Sequence, residues 1–272
     1  MIEIDLDPNL LFLGPFLITW HGLFTAVGVL VGVWVAARLS PRVGLDPDNT
    51  YNLAFWCVAG GIVGARLLFV AENLAQFAAN PISILFINEG GISIYGAVLG
   101  GTLAGVLAAR IGRLADVAAP GLILGMGVGR IGDIINGEHH GLPTDLAIGV
   151  IYTHSRTLGP PASAGPTHLA VGYEMALDLL IFGFLLWLIG RRLRPGTVYL
   201  AFLGLYSLAR FLVSYLRVDQ LILWDLRMAQ LVAVVSLVVA AALLVLRYRG
   251  PAPAPVATFV PPAVPRAARR RR

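Results

Sequence analysis

The sequence predicts an all-α integral membrane protein of about seven transmembrane helices, with the N-terminus outside and the C-terminus inside. Three observations predict this fold class. Of the 272 residues, 57% are hydrophobic and only 13% are charged, whereas soluble domains are about 25% charged. Apolar runs of about 20 residues, the length that spans a bilayer, recur along the chain. The loops between these runs alternate between basic and acidic character.

Seven apolar runs are long enough to cross a bilayer. They fall near residues 15–37, 51–71, 91–110, 115–135, 171–190, 197–216 and 227–246. The segment near 74–88 is shorter and is interrupted by Pro81, so we expect an interfacial or re-entrant piece there. The stretch near 136–170 is the longest loop; it is either a lid or binding surface or a passive connector. Residues 1–249 therefore form a single seven-helix domain.

The charges of the loops set the direction of the helices. Arginines follow the first, third, fifth and seventh runs, at Arg38, Arg42, Arg110, Arg113, Arg191, Arg192, Arg194, Arg247 and Arg249. The other loops are mainly acidic, and basic loops stay in the cytoplasm. The Pro/Ala-rich segment 250–272 cannot fold alone, and we expect a disordered cytoplasmic tail that touches anionic headgroups rather than nucleic acid.

Arg66, Arg130 and Arg210 lie inside apolar runs, where an unpaired charge costs several kcal/mol. Two interpretations are open. The arginines form internal ion pairs that hold helices together, or they bind a phosphate group with the planar fork of the guanidinium. The candidate partners within the chain are Asp133, Glu138, Glu174 and Asp178.

Glycines are dense around the same arginines, which favours close packing of membrane helices. At Gly90–Gly91 and Gly137–Gly141, where polar residues cluster, glycine would let the backbone bend around a ligand. The chain has one cysteine, Cys57, in an apolar run. A disulfide framework and a cysteine-ligated metal cluster are therefore excluded.

The segment Gly129–Gly141, GRIGDIINGEHHG, resembles the pattern G-R-x-G-N-x-x-N-x-E-x-x-G of the prolipoprotein diacylglyceryl transferases. Other landmarks of that family agree in their order along the chain. They are Trp20-His21-Gly22-Leu23 for W-Y-G-L, Gly64-Ala65-Arg66 for G-G/A-R, Glu89 to Gly96 for E-G-G-x-x-x-H/Y-G, His168 with Tyr173-Glu174 for H-P-x-Q-L-Y-E, and then Tyr206, Arg210 and Arg217. The resemblance covers residues from about 15 to 247.

This resemblance implies a reaction at the membrane. The diacylglyceryl group of phosphatidylglycerol would move to the lipobox cysteine thiol of a preprolipoprotein, with release of glycerol phosphate. The resemblance also implies a location, as a multi-pass protein of the bacterial plasma (inner) membrane. The implied partners are phosphatidylglycerol, the lipobox peptide and the lipid bilayer. No cofactor, metal or nucleic acid is expected.

The resemblance also implies roles for residues. Arg130 and Arg210 would bind the phosphate and stabilise the charge on its departure, with Tyr95 and Glu138 completing the catalytic set. The remaining residues expected to bind phosphatidylglycerol are Arg66, Asn136, Asp133, Gly91, Tyr206 and His21. Further candidates are His168, Glu174 and Arg217.

Several positions depart from the family pattern. Tyr95 stands where many members have a histidine that could act as base, and Asp133 replaces an asparagine. The other departures are His21 for tyrosine, Leu169 and Val171 for proline and glutamine, and Ser214 for glutamate. The identity of the general base therefore stays open at this point.

Other membrane functions would need sequence features of their own. A phosphatidyl-alcohol transferase would need an acidic D-x-x-D-G-x-x-A-R motif, and a rhomboid-type protease would need a serine in a G-x-S-x-G-like context; the sequence has neither. The alternative is a divergent membrane paralogue that binds or transports lipids or anions without chemistry. Broken helices and buried arginines would suit a carrier, but the sequence shows no internal repeat.

Overall fold

The computed structural model describes residues 1–14, 16–86, 94–108, 112–191, 193–219, 221–223 and 225–251. Its helices are α1 Trp20–Leu39, α2 Pro47–Glu72, α3 Leu74–Ala79, α4 Ile94–Ala108, α5 Arg113–Asn136, α6 Ala170–Ile189, α7 Thr197–Ser214 and α8 Met228–Arg249. The short strands are β1 Ile2–Ile4, β2 Asn9–Leu13, β3 Phe16–Thr19, β4 Val150–Tyr152, β5 Leu221–Leu223 and β6 Leu226–Arg227.

The helices confirm that the chain is a mainly α-helical membrane protein, while the count of seven and the orientation stay predictions. Within the described ranges, six helices are long and apolar enough to cross a membrane, namely α1, α2 and α5 to α8. Many of their large apolar side chains point outward, such as Leu30, Val235 and Leu246 at 62–70% exposure. Lipid rather than protein must cover these surfaces. Helix α4 lies within the run predicted at 91–110, whose two ends fall outside the described residues, so its crossing stays a prediction.

The first apolar run, predicted to be helical from about residue 15, begins differently. Strands β2 (Asn9–Leu13) and β3 (Phe16–Thr19) pair in an antiparallel hairpin, and Gly14 follows β2 at φ +60°. Helix α1 begins only at Trp20, where the Thr19 hydroxyl accepts a hydrogen bond from the Gly22 N–H at 3.1 Å. Hydropathy could not separate the two elements, because a strand and a helix of apolar residues have the same mean value.

The segment predicted as interfacial, near 74–88, contains α3 and a 3₁₀ turn at Pro81–Leu85. Its last two residues lie outside the described part of the chain. Arg66 on α2 holds this segment, donating from Nε to the Ile84 carbonyl at 2.8 Å and from Nη2 to the Ser83 carbonyl at 2.5 Å. The guanidinium also packs against Phe77, 5.1 Å from the ring centroid.

Glycine lets two pairs of helices touch backbone to backbone. Between α1 and α5, a Cβ added to Gly32 would lie 2.6 Å from the Gly121 carbonyl oxygen. Between α2 and α4, a Cβ added to Gly64 would lie 2.7 Å from the Gly100 Cα. Both contacts confirm that glycine serves close helix packing here. The α1–α5 pair matters for function, because it carries His21 and Arg130.

The long loop after α5 is structured. Its strand β4 pairs in parallel with β1, so the N-terminus is bound to this loop. The Tyr152 hydroxyl donates to the Ile134 carbonyl at 3.0 Å, and burial raises the pKa of Tyr152 to about 12. A phenol with that pKa stays neutral in any ordinary buffer, so the loop is fastened to the end of α5 over the working pH range.

The other end of the bundle holds the apolar core. Buried side chains from α1, α5, α6 and α7 meet there, namely Val35, Leu39, Val117, Ile123, Leu185 and Phe202. Asp116 on α5 accepts hydrogen bonds from the backbone N–H groups of Gly196 and Tyr199, at 2.6 and 3.0 Å. The carboxylate thereby caps the start of α7 from a neighbouring helix. This fixes α7, and with it Arg210, relative to α5.

Candidate active site

One carboxylate, Glu174 in the first turns of α6, gathers three arginines. Its side chain is fully buried. Arg210 Nη1 on α7 donates to Oε1 at 2.7 Å, and Arg130 Nη2 on α5 lies 3.3 Å from Oε2. Arg217 Nη1, just after α7, lies 3.7 Å from the same Oε2. Three guanidinium groups from separate parts of the chain therefore converge on a single point.

Arg130 also belongs to a second pair. Its Nη1 donates to Asp133 Oδ2 at 3.0 Å, one turn along α5. The other oxygen of Asp133, Oδ1, lies 2.6 Å from His21 Nδ1 on α1. Gly132 makes this approach possible, since a Cβ there would sit 2.6 Å from the His21 Cα. The result is a chain of contacts that runs from His21 through Asp133 and Arg130 to Glu174.

The end of α5 adds two further polar groups. Gly137 terminates the helix at φ +78°, a left-handed conformation that favours glycine. The turn brings Glu138 back toward α5, so that Asn136 Nδ2 donates to Glu138 Oε1 at 3.0 Å. Glu138 Oε2 lies 3.7 Å from His21 Nδ1. The predicted residues Asp133 and Glu138 thus both approach His21, and Asn136 is joined to them through Glu138.

His21, Asp133 and Glu138 place ligand-type atoms within 4.8 Å of one another, a spacing that could hold a metal ion. The contacts argue against that use. Both oxygens of Asp133 are already engaged, one by Arg130 and one by His21. Arg130 supplies the positive charge that a bound cation would otherwise provide. The residues present are arranged as a hydrogen-bonded network.

Among the arginines that the structure describes, Arg217 is the most deeply buried, at 1% exposure. Its Nε donates to Asp219 Oδ2 at 3.0 Å. Burial alone would raise the pKa of Asp219, but the hydrogen bond and the charge of Arg217 hold that pKa below its usual value. Burial, together with the charge of Arg217, lowers the pKa of His139. At neutral pH the ion pair is therefore formed and His139 is uncharged.

Two cavities border the arginine cluster. The larger, about 520 Å³, lies between α1, α2 and α5; it is apolar along most of its wall and has His21, Arg130 and Asp133 among its lining residues. The smaller, about 290 Å³, lies between α7 and α8 and is lined by Tyr206 and Arg210. An apolar cavity with a few convergent polar groups is the usual form of a site for an amphipathic ligand.

The two interpretations of the buried arginines prove compatible. Internal ion pairs are confirmed for Arg130 and Arg210, which both contact Glu174. Each of these arginines also lines a cavity, and the Arg130 Nε donates to no atom of the described residues. Asp178, the other candidate partner on α6, is buried with neither carboxylate oxygen hydrogen-bonded within the described part of the chain.

The remaining predicted site residues have separate positions. His168 Nδ1 lies 3.3 Å from the Tyr173 hydroxyl, at the start of α6. The described contacts of Arg66 are to the 3₁₀ segment and to Phe69 and Phe77. Gly91 lies outside the described residues, as does the side chain of Tyr95 in the first turn of α4. Their predicted roles stay predictions.

One partner was not anticipated from the sequence. Asp219 binds Arg217, although the sequence analysis singled out only the arginine. The spacing Arg-x-Asp was a usable signal, because the two side chains reach each other across a short turn. Asp219 matters because it takes up two donors of Arg217 and leaves Nη1 directed toward Glu174.

Comparisons with known proteins identify the family. A family model described as prolipoprotein diacylglyceryl transferase matches residues 8–246. Three relatives are each named phosphatidylglycerol–prolipoprotein diacylglyceryl transferase. The protein from Trichormus variabilis is 38% identical, over 85% of this chain and 86% of its own length. The one from Synechococcus elongatus is 39% identical (85% and 83%), and the one from Staphylococcus carnosus 34% (89% and 90%).

The match confirms the resemblance carried by the motif around Arg130. Within the described residues, it includes the six helices that are long and apolar enough to span a membrane, almost to the end of α8, and the arginines that contact Glu174. The relatives are matched over most of their own length. This chain therefore belongs to the prolipoprotein diacylglyceryl transferase family, and it is a membrane-embedded transferase.

Proposed function

We propose that this chain transfers the diacylglyceryl group of phosphatidylglycerol to the lipobox cysteine thiol of a preprolipoprotein and releases glycerol phosphate. The observation that carries the proposal is the position of Arg130. Its guanidinium lines an apolar cavity and is also tied to the buried Glu174. A lipid whose tail lies among apolar side chains would present its phosphate at this guanidinium. The names of the family relatives supply the two substrates.

The reaction depends more on a cationic site for the leaving phosphate than on a covalent intermediate with the enzyme. The thiolate attacks an sp³ carbon of the glyceryl group, the carbon–oxygen bond to phosphate breaks, and the phosphate oxygen keeps the electron pair. Negative charge therefore grows on the leaving group. Guanidinium donors placed in a dry site stabilise that charge strongly and stay protonated at any depth. Arg130 and Arg210 are suited to this role because both approach one point.

Glu174 explains how two largely buried arginines, 15% and 20% exposed, can lie side by side. Without an anion, their mutual repulsion and desolvation would oppose folding. The carboxylate binds each guanidinium along one edge, with Arg210 on Oε1 and Arg130 on Oε2. Arg130 also lines the larger cavity, so N–H groups of its guanidinium that are not bound to Glu174 could serve a substrate phosphate. Glu174 is thus proposed to position the arginines, with Arg217 as a third member held by Asp219.

The proposal includes the predicted orientation and location. The lipid would enter sideways from the bilayer of the bacterial plasma (inner) membrane, and the lipobox peptide would approach from the outer face. Glu138 and Tyr95 stay candidates for the catalytic set, and Asn136 and Tyr206 stay candidates for binding the headgroup. The alternative of a lipid or anion carrier without chemistry is not favoured, because the relatives matched over most of the chain are named as transferases.

The test is a transfer assay with purified protein in detergent. The reaction contains phosphatidylglycerol and a synthetic lipobox peptide, and the peptide is followed by mass spectrometry while glycerol phosphate is measured in solution. We expect one diacylglyceryl group on the cysteine for each glycerol phosphate released. A peptide with serine in place of cysteine is the control. Background release of glycerol phosphate, in conditions where a family relative is active, would exclude this reaction.

A further inference from the structure

His21 and Asp133 form a pair at the wall of the larger cavity, between the first turn of α1 and the end of α5. We infer that His21, oriented by Asp133, is the base that removes the proton from the acceptor thiol. This inference rests on the proposed transfer reaction, and it assigns a step of that reaction that the arginines cannot perform. An arginine stays protonated, so it offers no acceptor for a proton.

The hydrogen bonds decide which ring nitrogen is available. Asp133 Oδ2 accepts from Arg130 Nη1, which keeps the carboxylate ionised and therefore an acceptor only. Its Oδ1 lies 2.6 Å from His21 Nδ1, so Nδ1 must carry the hydrogen of this bond. The lone pair of the neutral ring is then on Nε2. A carboxylate that holds an imidazole in one tautomer is the arrangement by which histidine acts as a general base.

The exposed fractions of the side chains distinguish the base, His21, from the residue that orients it, Asp133. The His21 side chain is 43% exposed, while that of Asp133 is 5% exposed. A thiol arriving from solvent or from the cavity can therefore reach the imidazole but not the carboxylate. Glu138 is intermediate, at 23%, and one of its oxygens accepts from Asn136. Within the described residues of this cluster, His21 is the group best placed to meet the acceptor.

Asp133 connects the proton acceptor to the phosphate-binding arginine. One oxygen orients His21 and the other binds Arg130. A single carboxylate therefore sets the separation between the group that generates the thiolate and the group that receives the leaving phosphate. The reaction needs both at once, because the sulfur attacks as the carbon–oxygen bond breaks. A near-attack geometry depends on such fixed spacing.

The proton and electron balance is complete with these groups. The S–H bond breaks and its proton goes to His21 Nε2. The sulfur forms a bond to the glyceryl carbon, and the bond from that carbon to the phosphate oxygen breaks with its electron pair on oxygen. The imidazolium then returns its proton to water. No oxidant, reductant or additional reactant takes part.

Several charged or titratable groups surround His21. Asp133 and Arg130 face it from α5, Glu138 faces it from the loop that follows, and Cys57 on α2 lines the same cavity. The two carboxylates favour the imidazolium formed in the step, and Arg130 opposes it. The dependence of the rate on pH therefore reflects His21 together with these neighbouring groups. For this reason the test compares the pH–rate profiles of variants with that of the parent.

The experiment measures kcat and KM for phosphatidylglycerol between pH 6 and 9.5, with the full chain in detergent and a lipobox peptide. For His21→Gln we expect kcat at pH 7 to fall about 100-fold, the lower range for general-base catalysis, with little change in KM. The deficit should shrink to less than about 10-fold at pH 9.5, because a free thiol, with a pKa near 8.5, ionises without help. His154→Gln, on the outer loop, is the matched control and should resemble the parent.

A second variant tests the inference in case His21→Gln does not fold. Asp133→Asn keeps the side-chain shape and should lower kcat about 10-fold at pH 7, again with recovery at high pH, because the imidazole tautomer is no longer held. The inference is overturned if His21→Gln keeps its activity at pH 7. It is also overturned if the activity lost in His21→Gln is the same at every pH and the loss appears as a higher KM. If His21→Gln does not fold, equal loss at every pH in Asp133→Asn overturns it. Absence of transfer by the parent chain refutes the proposed function itself, and the inference with it.

Discussion

At the scale of single residues, arginines within the helix bundle are stabilised by a carboxylate partner. Arg130 and Arg210 share one buried carboxylate, and neither stands alone. The sequence predicted that both arginines were special, and it offered Asp133 as a neighbour of Arg130 because the two lie one turn apart. It could not single out Glu174 as the common partner. That choice depends on which faces of α5, α6 and α7 meet.

Arg210 provides the sharpest test of phosphate binding. We expect Arg210→Ala to lose at least about 100-fold in kcat/KM, since one preorganised donor to a developing oxyanion contributes that much. Arg210→Lys should be nearly as poor, because lysine lacks the planar fork. Transfer assays on protein that still inserts and elutes as a single species will measure this. Arg156→Lys is the control, since Arg156 is 60% exposed and contacts Asp7. Near-normal turnover in Arg210→Ala would exclude the role.

Glu174→Gln tests the positioning role of the carboxylate. The amide has the same shape but no charge, so Arg210 would lose its carboxylate partner and Arg130 would keep only Asp133. We expect the free energy of unfolding to fall by about 3 kcal/mol, as when one partner of a buried ion pair is removed. Thermal unfolding in detergent measures the change, with the exposed Glu3→Gln as control. An unchanged melting temperature would show that Glu174 does not hold the arginines together.

At the scale of elements, glycine sets how closely the helices approach. The α1–α5 and α2–α4 pairs both meet through glycine, and the first of these brings His21 to Asp133. Glycine density in the sequence predicted such contacts but not their partners. The hairpin of β2 and β3 was missed altogether, because its apolar residues continue the hydropathy of α1.

Gly64→Val tests the α2–α4 contact. A Cβ at Gly64 would lie 2.7 Å from the Gly100 Cα, where only backbone could move aside. We expect a loss of about 1–3 kcal/mol of stability, as for overpacked interiors, seen as a lower melting temperature in detergent. The matched control is Gly183→Val on α6, where a Cβ would meet nothing within 4 Å. Equal effects of the two substitutions would refute the packing argument.

At the scale of the whole molecule, the two ends of the helix bundle hold different kinds of residues. The end where α1 begins and α5 ends carries the polar cluster and the cavity wall with His21 and Arg130. The opposite end holds the apolar core and the Asp116 cap of α7. Strand β1 pairs with β4, so the N-terminus lies beside the long loop, in agreement with loop charges that place both outside.

The predicted orientation can be tested by cysteine labelling. In a Cys57→Ser background, we expect a membrane-impermeant maleimide to label Asp5→Cys and Ser163→Cys in intact spheroplasts. Arg249→Cys should react only after the membrane is permeabilised. All three positions are exposed in the structure, so access depends on the side of the membrane alone. Labelling of Arg249→Cys before permeabilisation would reverse the orientation.

The sequence by itself determined the membrane setting and the family, and it predicted the direction of the chain and the arginines of the site. These properties follow from composition, from loop charge and from motif spacing, all of which are local along the chain. Tertiary structure alone decided that Glu174 joins Arg130 to Arg210 and that Asp133 joins Arg130 to His21. The reason is geometric: which charged groups meet depends on the depth and rotation of each helix, and close packing between helices sets both.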